Sequence, residues 1–220
     1  MPVNFSPMEQ PSPGSRMLFI SASIPDPSRW SGSFDALEIT NAVVALARAC
    51  LTRGYGVVTA AHPTIAPLLL YVAAEFPPAD RGGRVRVYQS MLFEDVLPAA
   101  TRRFEADGIG NVIWTEAADG ESPEPGEWDG SLRRMREQML RETEPAAAVF
   151  IGGMEGIPAE LDLFSSIFPD RPTYAAGRPG GEARDLVTHS PEHLQSRLRE
   201  SGAYPALWWA VLDDLDGRDG

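Results

Sequence analysis

The sequence predicts an α/β fold: a three-layer sandwich in which a mostly parallel sheet of about six strands is covered by helices on both faces. Two observations carry this prediction. Short apolar runs alternate along the chain with longer segments whose apolar residues recur at helical spacing. Most of the short runs lack the polar alternation of a half-solvated strand, which favours parallel strands buried on both faces.

The elements follow from turn residues and apolar periodicity. Strands are predicted at 16–21, 55–60, 84–89, 111–115, 147–151 and 171–176. Helices are predicted at 33–53, 64–76 and 96–107, from 131 onwards, in a segment ending near 167, and at 191–201 and 205–215. The first helix has the clearest limits, because Ser33 or Asp35 can cap its start and Gly54 ends it. Ser131 is the predicted cap of the fourth helix.

Two predicted connections are long. Residues 22–33 follow the first strand and contain Pro25, Pro27 and Gly32, and a loop of this length in that place is often functional. Residues 116–130 are rich in Pro, Gly, Asp and Glu and contain little that can pack. We expect this second connection to be mobile.

Length and composition predict one domain, residues 17–216, preceded by a flexible arm, residues 1–16. The arm is rich in Pro and Ser and lacks the apolar centre of a secretory signal. No apolar stretch approaches the ~20 residues of a membrane helix. The single cysteine, Cys50, excludes an intrachain disulfide and suits a reducing compartment. We therefore expect a cytoplasmic protein without a membrane partner.

The charged residues exclude several activities. A formal net charge of −12 opposes general affinity for nucleic acid, so no nucleic-acid partner is expected. All 19 basic residues are arginines, because the chain contains no lysine. Schiff-base chemistry by a protein lysine and a Walker A loop are therefore excluded. An anionic ligand must be bound by arginine or by backbone N–H groups.

Polar residues follow the predicted first and second strands, where ligands of parallel sheets bind. Ser21 and Ser23 lie at the end of the first strand, and His62 and Thr64 follow the second. We predict that these four residues bind a ligand. For His62, a role in fixing the turn is an equal alternative.

The fifth apolar run ends in a glycine turn that contains Gly152, Gly153 and Gly156 and leads into a helix. Glycines let the backbone approach a ligand closely, and a helix start directs N–H groups and partial positive charge towards a phosphate or ribose. A tight turn without a ligand is the alternative. Glu155 completes the predicted ligand-binding set, although an exposed loop carboxylate is the better interpretation of this residue.

The segment from Arg136 to Glu160 resembles a known family. Arg136, then Gly152 and Gly153 from sixteen residues on, then Gly156 and Glu160, look like the Arg…Pro-Gly-Gly-x-Gly-Thr-x-x-Glu pattern of the Lonely-Guy phosphoribohydrolases. These enzymes belong to the SLOG superfamily of Rossmann-like nucleotide binders, which also includes sensor domains of bacterial antiphage systems. The resemblance covers about residues 17–178 and implies a Rossmann-like fold.

Several positions resemble the sensors more closely than the enzymes. Residues 19–25 and 60–63 look like the sensor members, and the second strand lacks the glycine-rich loop of the enzymes. Ile151 stands in place of the proline, one extra residue precedes Gly156, and Ile157 replaces the phosphate-binding threonine. These differences weaken the transfer of phosphoribohydrolase activity and are compatible with nucleotide binding.

Glu160 and Arg136 are the predicted catalytic residues if the protein is an enzyme. By resemblance, Glu160 would serve as the acid or base beside a glycosidic bond, and Arg136 would orient it or bind the phosphate of the ligand. Taken singly, a solvated arginine and a glutamate that complements a helix dipole are the structural alternatives. Their joint spacing favours the functional interpretation.

The expected function is binding of a nucleotide or an ADP-ribose-type ligand by a sensor in bacterial defence or signalling. An enzyme that cleaves an N-glycosidic or ribosyl bond is the alternative, and a structural partner protein is a third. A homodimer or higher homo-oligomer is expected, with Trp208 and Trp209 as a candidate apolar patch, and core packing of one of these tryptophans is an equal alternative. An effector protein would be a further partner. No cofactor is predicted. No metal is predicted either, because His189 and His193 have no evident third ligand.

Overall fold

A computed structural model describes residues 16–78, 83–124 and 127–218. The predicted N-terminal arm lies outside these residues except for Arg16. Six parallel strands form one sheet in the order β4-β3-β2-β1-β5-β6, which confirms the predicted α/β class. The strands are β1 (Met17–Ser23), β2 (Gly56–Ala60), β3 (Val85–Ser90), β4 (Asn111–Thr115), β5 (Ala147–Gly152) and β6 (Thr173–Ala176).

Helices cover the sheet on both sides. They are α1 (Ala36–Thr52), α2 (Ala66–Ala74), α3 (Ala99–Ala106), α4 (Asp129–Thr143), α5 (Gly156–Ile167), α6 (Glu192–Glu200) and α7 (Tyr204–Gly217), with 3-10 segments at Met91–Val96 and Glu182–His189. The chain moves from β1 to β4 in one direction and from β5 to β6 in the other. Because crossovers between parallel strands are right-handed, α1 and α2 lie on one face, and α4 and α5 lie on the other.

The strand order reverses between β1 and β5. These two strands pair as far as Ser23 and Gly152, which lie opposite each other at the carboxyl edge of the sheet. The pairing of β1 with β2 already ends at Phe19 and Val58. The loops that follow β1 and β5 leave towards opposite faces, and such a switch point is where open α/β sheets bind ligands.

Aromatic and aliphatic side chains fill both layers of the core. Phe19 of β1 packs edge-on against Phe150 of β5 and stacks on Phe164 of α5, with each pair of ring centroids 6.3 Å apart. On the other face, the fully buried Trp208 of α7 donates its indole N–H to the carbonyl of Ala42 at 2.9 Å. Trp208 is therefore a core residue and does not contribute to an exposed apolar patch.

The start of α4 differs from the sequence prediction. The helix begins at Asp129, and the hydroxyl of Ser131 accepts a hydrogen bond from the N–H of Ala118 instead of capping the helix. The carboxylate of Glu121 takes the capping role, because it accepts the N–H groups of Gly130 and Ser131 at 2.7 Å each. The segment predicted to be mobile is thus attached to the helix that it precedes. None of the helices in the described ranges is long and apolar enough to cross a membrane.

The cap predicts a pH-dependent contribution to stability. Hydrogen bonds from Ser131 lower the pKa of Glu121, so the ionised carboxylate stabilises the fold above the ordinary glutamate pKa of about 4.3. This contribution is lost as the pH falls through the lowered pKa. We expect Glu121→Gln to reduce the free energy of unfolding at pH 7 and to approach the wild type in acid. Urea unfolding at several pH values measures the difference.

Glu124→Gln provides the control, because Glu124 is an exposed carboxylate of the same loop. We expect this variant to match the wild type at pH 7. Equal stability of the Glu121 and Glu124 variants at pH 7 would contradict the capping role.

Candidate functional site

The carboxyl edge between β1 and β5 brings together residues from both strands. The carbonyl of Ser23 accepts the N–H of Gly153 at 2.7 Å, so the two strands remain hydrogen-bonded beyond their last residue pair. Ser21 lies two residues before Ser23 in the same strand, and the glycine turn follows β5 directly. The predicted residues of these two strand ends are therefore neighbours.

Gly152 and Gly153 allow backbone to pack against backbone. Both have positive φ, +66° and +76°, which disfavours any residue with a side chain. A Cβ atom on Gly152 would lie 2.6 Å from both the Ser23 carbonyl oxygen and Ile39 Cδ1. Gly181, from the loop after β6, lies against the backbone of Gly152 on another side. These contacts match the alternative of a tight structural turn, and direct ligand contact by this pair stays a prediction.

Three backbone N–H groups at the start of α5 remain open, those of Met154, Glu155 and Gly156. Within the described part of the chain, none of the three donates a hydrogen bond. The carbonyl of Gly153, just before them, accepts the N–H of Glu182 at 3.0 Å. The first N–H group available to a ligand is therefore that of Met154, directly after the glycine pair, and the three groups lie at the positive end of a 12-residue helix.

Arg136 and Glu160 form an ion pair beside these open N–H groups. Arg136 Nε of α4 donates to Glu160 Oε1 of α5 at 2.8 Å, and Glu160 is only 9% exposed. The guanidinium also reaches the helix start, because a Cβ on Gly156 would lie 3.5 Å from Arg136 Nη2. Neither Nη group donates a hydrogen bond to any described residue. The pair therefore directs a fixed positive fork towards the start of α5.

The hydroxyl of Ser21 is buried without a partner. Ser21 is 2% exposed, and its Oγ makes no hydrogen bond to the described residues. Alternate residues of β1 share a face, so Ser21 lies on the face of Phe19, whose ring stacks on Phe164 of α5. Glu160 precedes Phe164 by one helical turn, towards the carboxyl edge. An unsatisfied buried hydroxyl is uncommon in proteins and here lies under the helix that carries Glu160.

His62 and Thr64 form the turn that follows β2. His62 Nδ1 lies 3.0 Å from the Thr64 hydroxyl and 3.4 Å from the Thr64 backbone nitrogen, which donates to it. This geometry places the ring proton of neutral His62 on Nε2. Burial lowers the pKa of His62 and so favours the neutral form. These contacts agree with a role in fixing the turn, and contact with a ligand stays a prediction.

The β1–α1 loop (residues 24–35) contacts the start of α5 through residues that lie outside the predicted ligand-binding set. Arg29 Nη2 lies 3.1 Å from Glu155 Oε1, and Trp30 Nε1 donates to Glu182 Oε1 at 3.1 Å. Glu155 is exposed, as its preferred interpretation predicted, and it forms a surface ion pair with Arg29 of this loop. In the sequence only the length of this loop indicated a functional role. Neighbouring residues do not indicate contact partners more than a hundred residues away.

The loop is also attached to the segment after β6. Phe34 and Gly180 form an isolated antiparallel bridge, and the N–H of Asp35 donates to the Pro179 carbonyl at 2.9 Å. The N–H of Gly181 donates to the Ser33 carbonyl at 3.1 Å. Two loops therefore meet over the glycine turn and limit the directions from which a ligand can approach.

Two surface pockets lie away from this edge and contain none of the predicted ligand-binding residues. One, of about 170 Å³, lies between α1 and α7, and the other, of about 510 Å³, is lined by Arg16, Arg171 and Arg218 among others. Within the described ranges, no group of three or more His, Cys, Asp or Glu side chains could hold a metal ion. His193 instead contacts Asp214 at 2.9 Å.

The fold and the edge geometry define the class of this protein: a Rossmann-like α/β domain with a set of uncommitted hydrogen-bond donors at its switch point. The profile of the SLOG cluster3 family matches residues 29–212, and the chain belongs to this family. The predicted SLOG membership is thereby confirmed, and it indicates a nucleotide-related Rossmann-like domain. A search among curated proteins found no match.

The glycine turn predicts a specific cost for a side chain at Gly152. We expect Gly152→Ala to lower the free energy of unfolding by about 3 kcal/mol or more, because positive φ and overlap with Ser23 and Ile39 act together. Gly120→Ala is the control: Gly120 has φ +79° but open space around it, so we expect a loss of only about 1 kcal/mol. Denaturant unfolding measures both, and equal losses would show that close packing at Gly152 is unimportant.

Proposed function

We propose that this protein binds a nucleotide or a nucleotide-derived ligand of the ADP-ribose type at the carboxyl edge between β1 and β5. In this proposal it is a sensor in bacterial defence or signalling, and ligand binding is the signal that it detects. The observation that carries the proposal is the group of uncommitted hydrogen-bond donors at the start of α5. SLOG membership supports the class of ligand.

The donors suit a phosphate or diphosphate group. The open N–H groups of residues 154–156 and the two Nη groups of Arg136 are all donors, and they lie at the positive end of a helix. Arginine provides a planar fork that matches phosphate oxygens, and Glu160 fixes its orientation. The hydroxyl of Ser21 adds a further donor or acceptor below them.

Two features favour binding over turnover. Ile157 stands where the resembling enzymes have a phosphate-binding threonine, and its side chain packs against Gly153: a Cβ on Gly153 would lie 2.0 Å from Ile157 Cγ1. A buried apolar side chain therefore stands at this position, where the enzymes have a hydroxyl. In addition, the His62–Thr64 turn follows the second strand, where the resembling enzymes carry a glycine-rich loop. We therefore prefer the sensor to the enzyme.

The enzyme remains the second candidate because Glu160 is a buried carboxylate beside the proposed ligand. In that case Glu160 would act as acid or base at an N-glycosidic or ribosyl bond, and Arg136 would stabilise the developing charge. Incubation with nucleoside monophosphates, NAD and ADP-ribose, followed by chromatography of the free base, tests this candidate. If the wild type releases free base and Glu160→Gln does not, the protein is the enzyme and the sensor proposal is wrong.

The binding proposal predicts that Arg136 discriminates phosphorylated ligands from their nucleosides. We expect Arg136→Gln to weaken binding of AMP by about 10- to 100-fold, because a charged hydrogen bond to phosphate is lost. Glutamine retains a donor for Glu160, which limits the cost of leaving that carboxylate unpaired. The affinity for adenosine should change by less than about threefold. Isothermal titration calorimetry measures both ligands.

Arg133→Gln is the matched control. Arg133 lies on the same helix, its side chain is 77% exposed, and it pairs with Glu137 four residues away. We expect the affinity for AMP to match that of the wild type. If the Arg136 and Arg133 variants bind AMP with equal affinity, Arg136 is not part of the site. If the wild type binds no nucleotide, the proposed function is wrong.

A further inference from the structure

We infer that Trp30 recognises the base of the bound nucleotide by stacking on it, so that the ligand class is a nucleotide with its aromatic base intact, as opposed to a bare sugar phosphate. This inference rests on the proposed function. The residues that support it lie in the β1–α1 loop. This loop contains none of the predicted ligand-binding or catalytic residues.

Two consecutive residues of this loop contact the start of α5 and a residue bonded to the glycine turn. Arg29 contacts Glu155, which carries one of the open N–H groups. Trp30 contacts Glu182, whose own N–H donates to the carbonyl of Gly153, the residue before the open N–H groups. The indole is therefore joined to the glycine turn through a single residue, Glu182. In the inferred pose the phosphate binds the open N–H groups and the base lies against this ring.

The indole is held in one orientation before any ligand binds. Its N–H donates to Glu182, and its ring lies 6.0 Å from the ring of Phe34 at an interplanar angle of 55°. Its edge folds over Gly32 so closely that a Cβ there would lie 2.2 Å from the indole Cη2. A rigid aromatic surface loses little conformational entropy on binding, which favours its use in recognition.

The burial of Trp30 argues against a purely structural role. The ring is half-buried, while residues 26–29 and 31–33 on either side of it are exposed. By contrast, Trp208 shows how this fold buries a structural indole, since it is fully enclosed and bonded to a backbone carbonyl. A fixed aromatic ring that is still partly exposed, beside a group of uncommitted hydrogen-bond donors, has the combination that nucleotide bases require.

The experiment compares ligands with and without a base. The affinities of AMP, GMP, UMP and ADP-ribose are measured by calorimetry beside that of ribose 5-phosphate, for the wild type and for Trp30→Ala. We expect Trp30→Ala to weaken the base-containing ligands about tenfold, in line with base–aromatic stacking. Ribose 5-phosphate should bind both proteins within about twofold of each other.

Two further variants test whether the aromatic face of Trp30 is what binds the base. Trp30→Phe retains an aromatic face but not the indole N–H, and we expect it to retain nucleotide affinity within about threefold. Trp209→Phe is the control, since Trp209 is 38% exposed on α7 and packs on Arg53, away from the site. Nucleotide-dependent change in tryptophan fluorescence should survive in the Trp209 variant and be lost in Trp30→Phe.

The outcomes separate this inference from the proposed function. Equal nucleotide affinity in the wild type and Trp30→Ala overturns the stacking role and leaves nucleotide binding intact. An equal loss for nucleotides and ribose 5-phosphate in Trp30→Ala also overturns it, because the tryptophan would then only position the loop. If no nucleotide and no sugar phosphate binds the wild type, the proposed function fails and this inference fails with it.

Discussion

The close junction between the ends of β1 and β5 is the constraint on which the site depends. The hydrogen bond from Gly153 to the Ser23 carbonyl, and the absence of side chains at Gly152 and Gly153, let two strands, the first turn of α1 and the loop after β6 meet at one point. This packing occupies the N–H and the carbonyl of Gly153. It leaves the next three N–H groups, at the start of α5, without partners among the described residues.

Arg136 and Glu160 add charge at that position. Arginine and glutamate lose solvation when they are buried, and a close hydrogen bond in a mostly enclosed setting only partly offsets this cost. Such pairs often determine orientation more than they add stability. Here the bond through Nε leaves both Nη groups without a hydrogen-bond partner among the described residues, and Nη2 lies beside Gly156, so the pair places donors at the junction of α4 and α5.

The sequence predicted the features that depend on neighbouring residues. Buried apolar runs located all six strands, and the glycines after residue 151 located the turn at the end of β5. The pairing of Arg136 with Glu160 agreed with the spacing on which the family resemblance rested. In contrast, Ser131 was the wrong cap, because the helix begins at Asp129 and Glu121 of the preceding loop accepts the N–H groups of Gly130 and Ser131. Local capping preferences do not include a side chain eight or more residues away.

The parts of the site that the sequence did not reveal depend on long-range contacts. Arg29 and Glu155 are 126 residues apart, and Trp30 and Glu182 are 152 residues apart. Their proximity follows from the placement of β5 beside β1, and apolar runs alone do not specify strand order. A loop that follows the first strand could be recognised as long, but the element that it covers emerges only when the sheet is assembled.

The double attachment of the β1–α1 loop has a consequence for the kinetics of the site. The loop contacts both the start of α5 and the segment after β6, so lifting it breaks an ion pair, an indole hydrogen bond and several backbone bonds in one event. An opening that costs so many bonds together is rarely populated. For any ligand that must pass beneath the loop, the scarcity of this open state reduces the rate of entry and prolongs residence after closure.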